Sequence, residues 1–475
     1  MAAPAHFDRL FFSDAVEHSC TIDAVEGTIP AWLNGDYYTN GPARFERAGA
    51  RCKHWLDGDG FVHRLNFSDG RVTHTSRFIR TAKLADEERE GRFLYRSFGT
   101  GFPGDRLRRG LMLEPPVNVS VYPFGGRLLA FGEQSLPMEL DPVTLETRGP
   151  YDFGGKLNEI SPFAAHPKIH PATGAMTAFG IAFSARPTLY TYEMDANCAN
   201  FRRRRVRLDR NYSIHDCCVS ENYVIFHLGP LILDLERFLG AGQPLIDSLD
   251  WQPERGSRLL LVPRGASAGD PVEIGVAPKY CLHQINAFED AGALIVDILE
   301  IDEPIYPHYR PLDKLFENAP LARPVRYRID LAAKKVIERI ETGYRRTPDF
   351  PSLRPSDTTK TYSSFWMLGM SQAGNPGRKF FDELVRIDWP GGGASDVYRT
   401  QPGIYLGGEP VCAEEYSGSS NAAVIVQQLD VDALRAAYLV FDAMSLRQGP
   451  VARIPLPHWI QPSFHASFRP RARSG

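Results

Sequence analysis

The feature that most restricts what this chain can fold into is a recurring two-strand unit. It consists of an alternating apolar and polar segment, a turn carrying aspartate, and a second segment that is polar or charged on one side. The unit occurs in VHRLNFSDGRVTHTSRF around Asp69, PMELDPVTLETRG around Asp141 and LYTYEMDANCANFRRRRV around Asp195. It returns in VRYRIDLAAKKVIERI around Asp330, ELVRIDWPGGGASDVYR around Asp388 and YLVFDAMSLRQGPVARI around Asp442. Period-two alternation marks a strand with one buried face, and aspartate is a favoured turn residue. Successive aspartates stand 72, 54, 135, 58 and 54 residues apart, and the double-length gap holds one more unit, RLLLVPRGASAGDPVEI, turning within 264 to 270. Small sheets repeated at this spacing bury their faces only by stacking on their neighbours, which predicts radial repetition. The expected fold class is therefore all-β, a seven-bladed β-propeller in one domain spanning 1–475, with a few helical or loop insertions covering the active-site face. Two packed β-sandwiches are the competing arrangement, because the units share a pattern rather than close identity.

Composition narrows the function classes. Basic and acidic residues nearly cancel, 54 against 57, so no nucleic-acid footprint is expected. The one dense basic run, FRRRRVRLDR at 201–210, reads as a solvated strand pair. The N-terminus lacks a basic start followed by a secretory apolar stretch, and no apolar run approaches the roughly 18 residues of a membrane span. Seven scattered cysteines without a C-x-x-C pair read as reduced thiols. A cytoplasmic protein is expected. The best helical candidates are 313–319 (DKLFENA) and 229–251 (GPLILDLERFLGAGQPLIDSLDW). The second is read as a packed helix pair, with peripheral membrane contact, or contact with a greasy substrate, as its alternative.

Four of the thirteen histidines stand at the starts of strand-like segments, in AAHPKIHPATG, SIHDCCVS, CLHQINAFED and SFHASF: His166, His215, His283 and His465. On the hairpin map the first three precede different turns. His465 follows the last one and would complete the first blade of a propeller closed by its own termini. Four blades would then each offer one imidazole near the shared axis, which points to a mononuclear metal. The remaining three units carry an acid at a comparable place: Glu133, Asp349 and Glu409. Metal-bound imidazoles need a partner for the second ring N–H, and carboxylates commonly supply it.

These residues, with NGDYYTNGPARFE, HWLDGDGFVH, NVSVYPFGGRLLAFGE, HDCCVSENYVIF, GGEPVCAEE and PLPHWIQPSFHASF, resemble the carotenoid cleavage oxygenases. These are non-haem iron enzymes built on a seven-bladed propeller, and the resemblance runs from about residue 25 to 470. It implies that His166, His215, His283 and His465 bind Fe2+, with Glu133 and Glu409 matching glutamates behind the ligands. Asp349 departs from the family's usual glutamate. One methylene less shortens the reach by roughly 1.5 Å, so a water bridge or a shifted imidazole is expected there. The implied reaction is oxidative cleavage of a conjugated C=C bond by O2 into two carbonyl fragments. The expected partner is a hydrophobic polyene, a carotenoid or apocarotenoid. Members that cleave lignostilbenes or resveratrol-like phenols tend to carry a lysine just before the glutamate matching Glu133, and this chain has Gly132. Stilbene or phenylpropanoid cleavage therefore stands second.

Other chemistries fit less well. A nucleophile at Cys217 or Cys218 would need a neighbouring cation to depress its pKa. A zinc hydrolase would keep three protein ligands and an open fourth position, whereas four imidazoles close a tetrahedral site. A non-catalytic binding propeller would not need a metal-competent or acidic residue in every blade. His170 is assigned to a turn, His54 and His63 to a loop that is structural or borders the active site, His458 to packing or the rim, and Asp57 and Asp59 to a turn, because DGDG lacks the later ligands of a calcium loop.

Overall fold

The computed structural model describes residues 6–265, 269–389 and 394–471. Among them the strands build seven antiparallel sheets, five of four strands and two of five, with two separate two-stranded ribbons. This is the seven-bladed propeller expected from the repeat. Each predicted hairpin lies within one blade. The aspartates recur because their carboxylates hold the turns. Asp141 Oδ1 accepts from the backbone N–H groups of Val143 and Thr144, Asp195 Oδ1 from Asn197 and Ala199, and Asp330 Oδ1 from Ala333. Asp69 itself takes a positive φ of 51° ahead of Gly70. The turns after Arg264 and Asp388 include residues outside those described, although the strands on either side of each pair as expected.

Burial follows position in the blade. A middle strand meets neighbouring blades on both faces, so Ala293–Ile301 (ALIVDILEI) is buried at every residue. An outer strand has water on one side, and Lys335–Glu341 (KVIERIE) has no buried residue. The basic run belongs to such an outer strand, Arg202–Arg207, paired with Thr188–Met194. Continuous apolar runs inside and charged strands outside are what two-sided and one-sided burial respectively require.

The ring is closed twice by the chain termini. Ala466–Pro470 forms the innermost strand of the first blade, pairing with Gly35–Ala43 so that Thr39 lies opposite Ala466. Glu26–Gly27 adds a strand to the outer side of the seventh blade against Ala452–Pro455. The placement of His465 at the first blade thus agrees with the expectation.

The helical expectations do not hold. Residues 313–319 contain only the end of a single 3-10 turn, Leu312–Lys314. In 229–251, Leu231–Leu233 pairs with Leu249–Trp251 as a ribbon, and one π turn, Glu236–Gly240, lies between them. The apolar spacing fits the ribbon because Leu231, Leu233, Phe238 and Ile246 all turn inward and are buried. The described α-helices are Arg9–Phe12 and Ala82–Glu90. The second has a legible signature: the Thr81 side chain accepts from Leu84 N–H at the start, and Gly91 ends it in the left-handed conformation.

A row of imidazoles crosses the first blade. His18 Nε2 lies 2.8 Å from His74 Nδ1, and His74 Nε2 lies 3.3 Å from His63 Nδ1. The ring of His458 lies 4.9 Å from that of His18. Burial, reinforced by the neighbouring imidazoles, lowers the pKa of His18, His63 and His74, that of His63 to about 3. Folded-state values below the unfolded value mean that the neutral row stabilises the protein fully above about pH 6.5, and that this stability is lost as pH falls below it. The melting temperature is expected to drop between pH 7.5 and 5, and to drop less in His63→Gln, which removes one of these groups. Equal drops in the two proteins, measured by thermal scanning in a pH series, would exclude the row as a source of acid lability.

Candidate metal centre

Four blades bring one histidine each to the axis by the same device. His166 precedes the innermost strand Lys168–Ile169 of the third blade, and His215 precedes Cys218–Val219 of the fourth. His283 directly precedes Gln284–Asp290 of the fifth, and His465 directly precedes Ala466–Pro470 of the first. All four are buried, and their ligand atoms lie within 4.8 Å of one another. His166 Nε2 is 2.9 Å from His215 Nε2. His283 Nε2 is buried there without a hydrogen-bond partner among the described residues.

The Nδ1 atoms of three of these rings face carboxylates. Glu133 Oε1 lies 2.9 Å from His215 Nδ1, His283 Nδ1 pairs with Asp349 Oδ1, and Glu409 Oε2 lies 3.3 Å from His465 Nδ1. At His283 and His465 the contact is a hydrogen bond, which fixes the proton there and leaves the other nitrogen's lone pair for the centre. Glu133 Oε1 is close to His215 but out of hydrogen-bond alignment among the described residues. Burial, with repulsion from the other imidazoles, pushes the pKa of His166 well below its usual value. Burial also lowers His465, to about 4 against the pull of Glu409. At His283 burial is outweighed by Asp349 and the pKa rises. An orphaned buried nitrogen among four convergent imidazoles, backed by acids, is a donor set that could hold a divalent transition metal ion.

Two expectations are refined by the geometry. Asp349 reaches His283 directly, without a water bridge. It opens the innermost strand of the sixth blade, where the register shifts between Asp349 and Ser352 and Phe350 takes a positive φ of 55°. This local backbone, rather than side-chain length, carries the carboxylate to the ring. Glu409 stands in a comparable register shift of the seventh blade's innermost strand. Glu133 is not at a position comparable to the others. It follows the second strand of its blade, Arg127–Phe131, whose end lies opposite Ser120 at the start of the innermost one. Antiparallel pairing thus brings it to the same rim.

Two cavities adjoin the centre. One, of about 110 Å³, reaches His215 and Glu133 and is walled by Leu56, Phe98, Leu113, Phe183, Leu245 and Tyr306, among others. Its walls are predominantly apolar. The other, of about 470 Å³, lies along the axis and is lined from all seven innermost strands. It reaches Glu409 and Lys168.

The remaining candidates take structural places. Cys217 and Cys218 are buried in different packing clusters, on opposite faces of the strand. Burial pushes the Cys217 thiol up to about 12 and Cys218 well above its usual value, the reverse of what a nucleophile needs. His54 donates Nε2–H to Tyr306 O while its Nδ1 accepts from Leu56 N–H. Asp57 and Asp59 are more than turn formers. Asp57 accepts from Gly99 N–H and the Thr100 hydroxyl, and Asp59 pairs with the buried Lys83. At Gly132 a Cβ would meet Val117 Cα at 2.9 Å, so a lysine there would have to displace backbone.

Sequence and structure comparisons agree with this geometry. The sequence profile of the family described as Retinal pigment epithelial membrane protein matches residues 11–470. The chain is 28% identical to apocarotenoid-15,15'-oxygenase of Synechocystis sp., over 98% of this chain and 96% of that protein. It is 27% identical to isoeugenol monooxygenase of Pseudomonas nitroreducens, with 94% of each covered. It is also 27% identical to resveratrol cleavage oxygenase 1 of Chaetomium globosum, with 98% and 89% covered. A solved structure of a Synechocystis apocarotenoid oxygenase variant superposes with a TM-score of 0.91 at 26% identity, covering 99% of both chains. With four buried imidazoles at the axis of seven blades and a profile match over nearly its whole length, the chain belongs to the Retinal pigment epithelial membrane protein family, alongside the carotenoid and stilbene cleavage oxygenases.

Proposed function

We propose that this chain is a non-haem iron dioxygenase of the carotenoid-oxygenase type, one propeller domain that cleaves a conjugated C=C bond of a carotenoid or apocarotenoid. The observation that carries the reading is the convergence of one ring nitrogen from each of four imidazoles, three of which have a carboxylate near Nδ1, at the end of a predominantly apolar cavity. His166, His215, His283 and His465 would hold Fe2+, and Glu133, Asp349 and Glu409 would orient three of the rings. Ferrous iron, when bound, supplies the reaction with O2, and the balance is one C=C bond and one O2 giving two carbonyl groups. Affinity alone does not select iron over copper or zinc. The oxygenases among the relatives support iron for this site.

The chain's own residues do the positioning. The apolar wall excludes water from the bond to be cleaved and aligns an extended polyene by shape rather than by polar contacts. Leu113 and Leu245 stand in that wall, and Leu111 and Leu239 on the same two segments are exposed. They would meet a membrane surface from which a polyene enters, so the cytoplasmic protein would associate with membrane only peripherally. Among the described residues no helix is long and apolar enough to cross a membrane. Cleavage of a phenylpropanoid or stilbene is the second reading, favoured by the isoeugenol and resveratrol enzymes among the relatives. The crowding at Gly132 disfavours the phenol-binding lysine that such an enzyme would use there.

Two measurements test the proposal. Purified protein is expected to carry about one iron per chain, a mononuclear centre. His215→Ala and His465→Ala are expected to lose it, while Asp349→Ala weakens retention by about 10- to 100-fold. Undiminished iron in the histidine variants would remove the ligand assignment. Incubation with carotenoids, apocarotenals and hydroxystilbenes, followed by chromatography for aldehydes, is expected to give products from the polyenes. Products from stilbenes alone would reverse the substrate order, and a chain that turns over none of them while loaded with iron would be a binding module.

A further inference from the structure

Three of the four imidazoles have a carboxylate at Nδ1, and the fourth does not. His166 Nδ1 lies 3.7 Å from Asp216 Oδ1, beyond hydrogen-bond distance. The Asp216 carboxylate is engaged elsewhere. Its Oδ1 accepts from Lys168 Nζ at 2.7 Å and from Cys217 N–H at 2.7 Å. Its Oδ2 accepts from Gln284 N–H at 2.8 Å, and the Gln284 side chain donates to the Asp216 carbonyl at 3.1 Å.

Each donor belongs to a residue near a different histidine. Lys168 stands two residues after His166 on the same strand side, Cys217 two after His215, and Gln284 directly after His283. One buried carboxylate therefore ties together the innermost ends of the third, fourth and fifth blades at the point where each presents its imidazole. We infer that Asp216, held by Lys168, is the positioning residue of the centre: it sets His166 through the lysine, and His215 and His283 through the backbone.

The physical reason is that among the described residues His166 Nδ1 has no hydrogen-bond acceptor, so its ring must be placed through the chain that bears it. Lys168 anchors that chain from the axial cavity, away from the apolar cavity, whose lining includes neither Lys168 nor Asp216. A buried carboxylate stripped of its cation is strongly destabilising, so the pair acts as a unit. The inference rests on the four histidines being metal ligands, and its test separates the two claims.

Cobalt(II) is titrated into metal-free full-length wild type, Lys168→Met, Lys168→Arg, Asp216→Asn and His215→Ala, with affinity and the visible d–d spectrum as readouts. Lys168→Met and Asp216→Asn are expected to bind cobalt about 10- to 100-fold more weakly, with shifted bands. Lys168→Arg, which keeps a cation able to reach the carboxylate, is expected to recover most of the affinity. A purely structural pair would lower the melting temperature and leave the affinity and spectrum of the bound ion unchanged, which overturns the inference. If Asp216→Asn does not fold, the two lysine variants decide alone. Wild-type affinity in Lys168→Met with loss in His215→Ala overturns the positioning role only. Wild-type affinity in both overturns the ligand reading beneath it.

Discussion

Closure of the ring is the constraint on which the rest depends. Ala466–Pro470 must find Gly35–Ala43 across nearly the whole chain, and His465 is carried into place by that pairing. Its backbone is held from two blades, since Asn40 N–H donates to His465 O while His465 N–H donates to Val119 O. Until the first blade is completed, three imidazoles stand on their strands and the fourth is absent. The centre is therefore a property of the closed ring rather than of any local motif. The loop-closure entropy of so distant a contact is offset by burying seven sheet faces against one another.

The same geometry settles the electrostatics. Where four imidazoles bring their ligand atoms within 4.8 Å of one another, His166 and His465 resist protonation through burial and mutual repulsion, whereas at His283 Asp349 outweighs burial. The carboxylates counter this only at the outer ring nitrogens, so charge is placed behind the ligands rather than among them. Asp216 extends this layer in a different way, gathering donors from three blades instead of hydrogen-bonding to a ring. The two cavities differ to match. The one that meets His215 is mostly apolar, whereas the axial one is lined by Lys168, Gln284, Glu409 and Glu414 among others.

Much of this was legible in the sequence, for identifiable reasons. Strand alternation and turn aspartates are local signals, and Asp141, Asp195 and Asp330 hold their turns through bonds within a few residues. The histidines could be placed because each lies within three residues before an innermost strand. The apolar segment 229–251 was misread as helical because short apolar runs fit either period, and only its pairing as a ribbon decides. Asp349 looked too short because side-chain length is visible in sequence and a register shift is not. Glu133 looked equivalent to the other acids because antiparallel neighbours share a rim, although they come from different strands.

By itself, then, the sequence determined seven hairpin units and which four imidazoles and three acids were candidates for a shared axis, because these follow from local periodicity and the residue types themselves, while two packed β-sandwiches stayed open as an arrangement of the same units. Only the tertiary structure decided how those groups meet. The direct reach of Asp349, the lack of a hydrogen-bond acceptor at His166 Nδ1 among the described residues, the binding of three blades by Asp216, and the crowding of Val117 against Gly132 all depend on distances between segments tens to hundreds of residues apart. No local pattern encodes those distances, because they are set by the packing of the closed ring.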